Sequence, residues 1–367
     1  MRFKPFCDAL SLTAPGTIIS RFVVISILLI LFGITHPGLA DDTETKESPW
    51  LLIPTLSVDP KLGTSLGVMG GYIHQFDPLS TPSMFIAGIS SSNNDSTVAG
   101  LFGQMFFDED RQILTLGTVT GEINNDYDDF LGSGIPVQTT DDLEAYFLRY
   151  LHVVDGDWYL GGQVISSNYT IGADDFFDPI LDFIGLTGFD STGIGLVTEY
   201  DTRDNVRNPT NGRFFSAHNI AYRESFGGDE SFDVYSLKYS EYNNFKPDHV
   251  LAWQVKGRWT NDAPTGGYSS VELRGYVRGN YLAPNYSHVQ VEDRISFTER
   301  WGMSIFGGVG CLYDGFSDCG DSDNLYAAVG AGAILTLKPE AGIVVRAEIA
   351  KGEADEYFAY ISVGNPF

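Results

Sequence analysis

Residues Leu251–Trp259 read Leu-Ala-Trp-Gln-Val-Lys-Gly-Arg-Trp, which is a strict alternation of two kinds of side chain. The odd positions hold apolar residues and one glycine, whereas the even positions hold Ala, Gln, Lys and Arg. Successive side chains of an extended strand point to opposite faces of a sheet. The stretch therefore predicts a β-strand with one apolar and one largely polar face.

The same alternation recurs along the chain, for example at 289–297 and 343–350. The alternating segments are about ten residues long, close to the roughly 9–11 residues of a tilted strand that crosses a membrane. Strands of soluble proteins average about 5–6 residues. The fold class that we predict is all-β, a transmembrane antiparallel β-barrel whose apolar face meets lipid and whose charged face lines the lumen. The charged residues predicted to face the lumen are Lys256, Arg258, Glu292, Arg294, Arg346 and Glu348.

Sixteen candidate strands can be placed along the chain, an even number, as bacterial barrels require when both termini lie in the periplasm. The connections after even-numbered strands are mostly short, whereas those after odd-numbered strands include the long segments 123–140, 171–188 and 262–287. Short periplasmic turns opposite long external loops are typical of membrane barrels. The candidate strands are 50–58, 64–76, 81–91, 95–107, 111–122, 141–154, 157–170, 189–202, 212–226, 230–245, 249–261, 288–299, 303–314, 324–337, 342–352 and 355–367.

The first forty residues have the order of a secretory signal. Arg2, Lys4 and Arg21 precede an apolar run at 22–34, and small residues up to Ala40 precede two aspartates. We predict a signal peptide that is cleaved after Ala40, with an uncleaved anchor as the alternative. The predicted organisation is a short signal helix within 1–40, a periplasmic lead-in at 41–49 and a barrel at 50–367 in a Gram-negative-type outer membrane.

The composition excludes several classes of function. The formal net charge is −26, with 48 acidic residues against 22 lysines and arginines, which argues against nucleic acid or anionic lipid as a partner. The six histidines lack ligand spacing, and no phosphate-binding loop or nucleophile motif occurs. We predict no enzymatic activity, no cofactor and no metal site. Cys311 and Cys319 lie eight positions apart and could form a disulfide in an oxidising compartment.

Three segments carry motifs in a defined order. Residues 201–212 read Asp-Thr-Arg-Asp-Asn-Val-Arg-Asn-Pro-Thr-Asn-Gly, residues 273–276 read Leu-Arg-Gly-Tyr, and Val-Glu-Asp-Arg at 291–294 precedes Phe-Gly-Gly-Val-Gly at 306–310. Together they resemble the barrel of the outer-membrane assembly and translocation superfamily, typified by BamA and TamA and also known as the bacterial surface antigen family. The matching positions of its periplasmic turn are Asp201, Arg203, Asp204, Pro209 and Gly212.

The resemblance implies that the loop after the eleventh strand folds into the lumen. Arg274 would then lie against an acid of the inner wall, here Glu292, because a guanidinium and a carboxylate pair best when shielded from water. Gly275 would allow a close backbone approach, and Tyr276 would pack beside it. The family often has a second acid on the thirteenth strand, where this chain has Gly308. We therefore expect this latch to use Glu292 alone.

The resemblance also implies a function. Phe367 ends the last strand in the way of the C-terminal signal of outer-membrane proteins. Larger family members carry periplasmic POTRA domains, whereas only 41–49 precede the first candidate strand, so we expect a member without them. Its expected partners are outer-membrane lipid and a periplasmic protein or client polypeptide. Membrane-protein assembly or polypeptide translocation is the expected role, and a passive diffusion channel or a structural membrane anchor are the alternatives.

Overall fold

The computed structural model describes residues 48–59, 63–127, 137–168, 189–276, 278–352 and 357–366. The predicted signal peptide, most of the predicted lead-in and Phe367 lie outside these ranges. Sixteen long strands occur within the described residues. They are β1 Trp50–Asp59, β2 Gly63–His74, β3 Ser83–Ser92, β4 Thr97–Phe107, β5 Gln112–Tyr127, β6 Val137–Asp155, β7 Trp158–Ser167, β8 Ser191–Asp201, β9 Gly212–Tyr222, β10 Phe232–Lys246, β11 His249–Asn261, β12 Asn285–Ser296, β13 Trp301–Tyr313, β14 Leu325–Lys338, β15 Ile343–Lys351 and β16 Phe358–Val363.

Each strand is antiparallel to the next, and β1 pairs with β16, so the sheet closes into a barrel. Among the described residues, the two terminal strands pair over only part of their length. The number of residues paired between adjacent strands differs greatly from one pair of strands to another. β5 and β6 pair over sixteen residues each, from Gln112 to Tyr127 on β5, whereas the described part of the β1–β16 seam joins only Ser57 to Tyr360 and Val58 to Ala359.

The predicted all-β antiparallel barrel and the count of sixteen strands are confirmed within the described residues. Two of the predicted boundaries that differ are the end of β5 and the start of β6, because β5 continues to Tyr127 and β6 begins at Val137, both within the predicted connection 123–140. The added rungs pair polar residues such as Asn124 with Thr140. Most of the added residues are polar in the sequence, so the pattern of apolar residues could not indicate these rungs.

Short 3₁₀ turns occupy Glu224–Phe226, Thr265–Gly267, Phe316–Gly320 and Ser322–Asn324 in the connections. Within the described ranges, no helix has the length and apolar character needed to cross a membrane.

The outer face of the barrel is apolar over most strands. Leu52, Leu66, Leu101, Leu196 and Val329 are between 54% and 77% exposed. Exposing such a continuous apolar surface to water would cost roughly 25 cal/mol of free energy for each Å². The face is therefore suited to contact with hydrocarbon.

Aromatic rings line the end of the barrel that carries the short turns. Trp50 at the start of β1 contacts Tyr72 near the end of β2, with ring centroids 4.7 Å apart. Trp158 at the start of β7 contacts Tyr200 near the end of β8, with centroids 5.1 Å apart. Rings at this level are the girdle that barrels place at a membrane interface.

The inner face differs between the two halves of the barrel. Lumen-facing residues of β11, β12 and β15 are polar or charged, as predicted, and include buried Gln254 and Arg346. In the first half the inward residues include the apolar Val98, Phe102 and Phe147, which are at most 8% exposed and belong to one hydrophobic cluster, and also the buried ion pair of Arg149 with Glu199. The six charged residues predicted to face the lumen all lie in the second half, and the apolar group on the inner face of the first half was not predicted.

We predict that Leu196→Arg will destabilise the barrel by about 2–4 kcal/mol, because it places a charge near the middle of a strand on the lipid-facing side. Unfolding by denaturant in lipid vesicles would measure this, with Leu196→Ala as the control that removes only apolar area. Equal stability of the two variants would contradict the assignment of this face to lipid.

Candidate functional site

The chain between β11 and β12, residues 262–284, folds back into the barrel. Ser269–Ser270 and Leu282–Ala283 pair with each other at its base. Val271 and Leu273 are 0% and 2% exposed, and their burial holds the loop against the inner wall. Their buried partners on β12, β13 and β14 are Tyr286, Leu312, Tyr326 and Ala328.

A cluster of three arginines and two glutamates lies where this loop meets the wall. Arg274 Nη1 is 2.8 Å from Glu292 Oε2 and 3.1 Å from Glu348 Oε1. Arg294 Nε is 2.7 Å from Glu292 Oε1. Arg346 Nη2 is 3.0 Å from Glu292 Oε2 and 2.7 Å from Glu348 Oε1. We call these five residues the arginine–glutamate cluster.

The cluster is removed from water, since Glu292 and Arg346 are both 0% exposed. An isolated ion would be very costly here, and its desolvation is offset only by close opposite charges and well-placed hydrogen bonds. Arg274 gains one further contact, because its guanidinium lies 3.4 Å from the centroid of the Phe306 ring. The three cations and two carboxylates can be stable in this position only as a set.

The two residues after Arg274 fix the position of the loop. Gly275 has a φ of +97°, which favours glycine, and an added Cβ would lie 2.9 Å from the backbone nitrogen of Gly352. The Tyr276 hydroxyl donates a hydrogen bond of 2.9 Å to the Ala327 carbonyl. Gly308 gives the loop room, because an added Cβ there would lie 2.9 Å from Leu273 Cδ2. The structure thus brings together Arg274, Gly275, Tyr276 and Glu292.

The expectation that Glu292 is the sole acid of this latch is wrong. Glu348 on β15 is a second carboxylate within 3.1 Å of Arg274. Alternation in the sequence predicted that Glu348 and Glu292 both face the lumen. The distance between them depends on how β12 and β15 are staggered across the sheet, which no local pattern indicates.

The motif at 201–212 forms the connection from β8 to β9 and is held by its own side chains. Arg203 donates to both carboxylate oxygens of Asp201, at 2.8 and 2.6 Å. Asp204 accepts from the backbone nitrogens of Thr210 and Asn211, at 2.8 and 3.1 Å. Gly212 has a φ of +109° and returns the chain to β9. We call this segment the β8–β9 turn.

The β8–β9 turn reaches across the mouth of the barrel at the end that carries the short turns. Arg207 donates to the carbonyl of Pro82, before β3, at 2.5 Å and to that of Ala341, before β15, at 3.5 Å. These acceptors belong to turns on the far side of the ring of strands. Burial of the guanidinium lowers the pKa of Arg207 to about 10. The sequence analysis missed this role of Arg207.

Two hydrogen-bond paths connect this turn to the arginine–glutamate cluster. Arg294 Nη1 donates to the Pro209 carbonyl at 3.2 Å. Arg346 Nη1 donates to Asn365 Oδ1 at 2.6 Å, and Asn365 Nδ2 donates to the Arg207 carbonyl at 2.9 Å. The loop, the wall and the β8–β9 turn therefore form one hydrogen-bonded system.

The remaining space in the lumen is a cavity of about 480 Å³ that reaches from the turn to the loop. Among described residues, eight cations and four carboxylates line it, although the whole chain has a net charge of −26. The lining cations are Arg149, Arg203, Arg207, Lys238, Lys256, Arg258, Arg274 and Arg278, and the carboxylates are Glu199, Asp201, Glu272 and Glu348.

The other predicted residues lie away from the lumen or outside the described chain. Cys311 on β13 and Cys319 in the following connection form a disulfide. Phe367 is outside the described residues. Within those residues, no group of three His, Cys, Asp or Glu side chains is placed to hold a metal ion.

We predict that Glu292→Gln will destabilise the barrel by about 3–5 kcal/mol, because it leaves three buried guanidiniums beside one carboxylate. Arg274→Met leaves two arginines beside two glutamates, so we expect a smaller loss of stability together with release of the loop. Denaturant unfolding in detergent measures the first effect and limited proteolysis within 262–284 the second. A larger loss for Arg274→Met would contradict this account of the cluster.

Comparisons with known proteins address the fold. No protein family matches the sequence, and no curated protein is similar to it in sequence. The structure is similar to that of BamA from Haemophilus ducreyi lacking POTRA domains 1–3, with a TM-score of 0.51 and 13% identity over 94% of this chain and 78% of that one.

It is also similar to two structures of CdiB. The protein from Escherichia coli has a TM-score of 0.57 and 13% identity over 87% of this chain and 63% of its own. The protein from Acinetobacter baumannii has a TM-score of 0.56 and 12% identity over 86% of this chain and 59% of its own. The chain thus spans about three-fifths of the length of the CdiB chains. It has the same barrel fold as BamA and CdiB, which confirms the predicted resemblance at the level of the fold.

Proposed function

We propose that this protein is an outer-membrane barrel that assists the assembly or translocation of polypeptides. The observation that carries the proposal is the β1–β16 seam. Its described part has two residue pairs, Ser57 with Tyr360 and Val58 with Ala359, whereas β1 and β2 are joined by ten. Among the described residues this seam has the fewest backbone pairs, so we expect the sheet to open there at least cost.

An opened seam would expose backbone N–H and C=O groups on two strand edges. Such edges bind an extended segment of another chain by adding it as a strand. The segment could be a strand of a client polypeptide on its way into the membrane. No catalytic step is part of this role.

The opposite wall is suited to stay closed while the seam opens. The ladder between β12 and β13 joins twelve residue pairs, from Asn285 to Ser296 on β12. The loop 262–284 and the arginine–glutamate cluster pack against these two strands from inside the barrel and stabilise them. Opening would therefore be confined to β1, β16 and their neighbours.

The apolar outer face and the aromatic girdle support placement in an outer membrane. Export would use residues 1–40 as a cleaved signal, and 41–49 would remain as a periplasmic lead-in. A periplasmic protein that delivers clients is the partner that this arrangement would need.

We predict that a disulfide across the seam, made by Val58→Cys and Ala359→Cys, will abolish function without unfolding the barrel. Directly opposite residues of antiparallel strands have the Cα spacing that a disulfide needs. The measurement is the amount of heat-modifiable outer-membrane proteins in a deletion strain that carries the variant, with and without reductant.

The matched control is Leu101→Cys with Thr118→Cys, which are directly opposite in the β4–β5 ladder. This pair should restore assembly in oxidising conditions, and the seam pair should restore it only after reduction. Full activity of the oxidised seam variant would refute the proposal. Normal assembly in the deletion strain itself would favour a membrane anchor.

The alternative of a passive diffusion channel predicts a large and steady current in planar bilayers. We predict a small, irregular current, because the β8–β9 turn lies across the periplasmic mouth. Arg207→Ala should raise the conductance by removing the hydrogen bonds to Pro82 and Ala341. Arg213→Ala, which alters an exposed pair with Glu241, is the control. A large wild-type current unaffected by Arg207→Ala would support the channel instead.

A further inference from the structure

β1 contains a proline in its middle. Within the sixteen described strands, Pro54 is the only proline. A proline has no backbone N–H, so its strand loses a hydrogen bond on the side to which that N–H would point. Prolines in sheets are therefore confined to edge strands, first residues of strands and bulges. Pro54 lies inside a strand that has a neighbour on each side, β2 and β16.

The side of Pro54 that lacks a donor faces the seam. The backbone nitrogen of Ile73 on β2 donates to the Pro49 carbonyl at 2.9 Å, in the register that pairs Trp50 with Tyr72. Backbone groups of successive residues in an antiparallel strand point to opposite neighbours. Odd-numbered residues of β1 therefore bond to β2, whereas even-numbered residues, Pro54 among them, point to β16.

The register of the seam places Pro54 opposite Val363. The pair of Val58 with Ala359 fixes this register, and four residues along each strand lead to Pro54 and Val363. The backbone nitrogen of Gly364 donates to a carbonyl of β15 at 2.9 Å. The N–H and C=O of the preceding Val363 therefore point away from β15, to the side of the seam.

Pairing of β1 with β16 ends before this position. Leu56 with Ile361 and Pro54 with Val363 are the next hydrogen-bonded pairs that the register allows, and the structure contains neither, although all four residues are described. At Pro54 the Val363 carbonyl would have no donor, because a ring carbon of the proline takes the place of the amide hydrogen. The seam thus stops short of the proline.

The end of β16 lies inside the barrel. Ile361 and Val363 pack against the hydrophobic cluster to which buried Ile53 of β1 belongs. Asn365 contacts Arg346 and the β8–β9 turn through its side chain. The part of β16 that would pair with Pro54 and the residues before it is therefore held by the inner wall and not by the edge of β1.

We propose that Pro54 limits the pairing of β1 with β16 and so keeps the part of the seam nearer the short turns free to open. This inference rests on the proposed function, in which the seam is the part of the sheet that opens. A residue with a backbone N–H at this position allows both missing pairs to form. The two strands are then joined edge to edge, and opening of the seam costs more.

The effect of Pro54 on the seam can be tested on the full folded chain in a maltoside detergent. Thr55→Cys and Ser362→Cys are directly opposite if the register of the seam continues, at the kind of pair that brings side chains closest. We expect a mild oxidant to form this disulfide at least about tenfold faster when Pro54→Val is added, because the added backbone pairs hold the two strands together.

Pro49→Val is the matched control. Pro49 lies just before β1, and its backbone faces β2, since its carbonyl accepts from Ile73. The same replacement there adds a donor away from the seam, so the rate of disulfide formation should not change. Gel mobility before and after boiling shows that each variant is folded. Equal rates with valine at 54 and at 49 would overturn the proposal.

Assembly in the deletion strain separates this inference from the proposed function. We expect Pro54→Val, without the added cysteines, to lower the amount of heat-modifiable outer-membrane proteins several-fold, and Pro49→Val to restore it fully. Faster disulfide formation together with normal assembly would support the role of Pro54 in the seam and refute opening of the seam as the basis of function. An unchanged rate of disulfide formation refutes the role of Pro54 whatever the level of assembly.

Discussion

The carboxylate of Glu292 is the point at which the separate parts of this barrel are joined. A fully buried acid needs cations around it, and here they come from three places: Arg274 on the inserted loop, Arg294 on the same strand and Arg346 on β15. Arg294 also reaches the β8–β9 turn through the Pro209 carbonyl. The position of the loop, the stagger of the strands and the closure of the mouth all depend on this group.

Different interactions stabilise the inner faces of the two halves of the barrel. The second half is held from within by ions and by an inserted loop, whereas the first half has apolar residues such as Phe102 and Phe147 on its inner face. The short seam lies where β16, at the end of one half, meets β1, at the start of the other.

Most of the fold could be predicted from the sequence, because alternation within a strand is a local property. It indicated sixteen strands and placed Lys256, Glu292 and Glu348 on the inner face. The pairing of Arg274 with Glu292 was implied by family resemblance. The approach of Glu348 and the reach of Arg207 to Pro82 could not be predicted, because both depend on distances across a closed sheet. The apolar inner wall was missed because alternation cannot be seen where both faces are apolar.

The hydrogen bonds of the β8–β9 turn have a consequence for the order of folding. Its partners are far apart in the chain, since Arg207 contacts Pro82 from 125 residues away and Asn365 from 158. Contacts of such long sequence separation form late, because the entropy of closing the intervening chain must first be overcome. Pro82 and Asn365 come close together only when the first and last strands are in place. Docking of the turn therefore marks the completion of the barrel, and a partly built sheet has an open mouth.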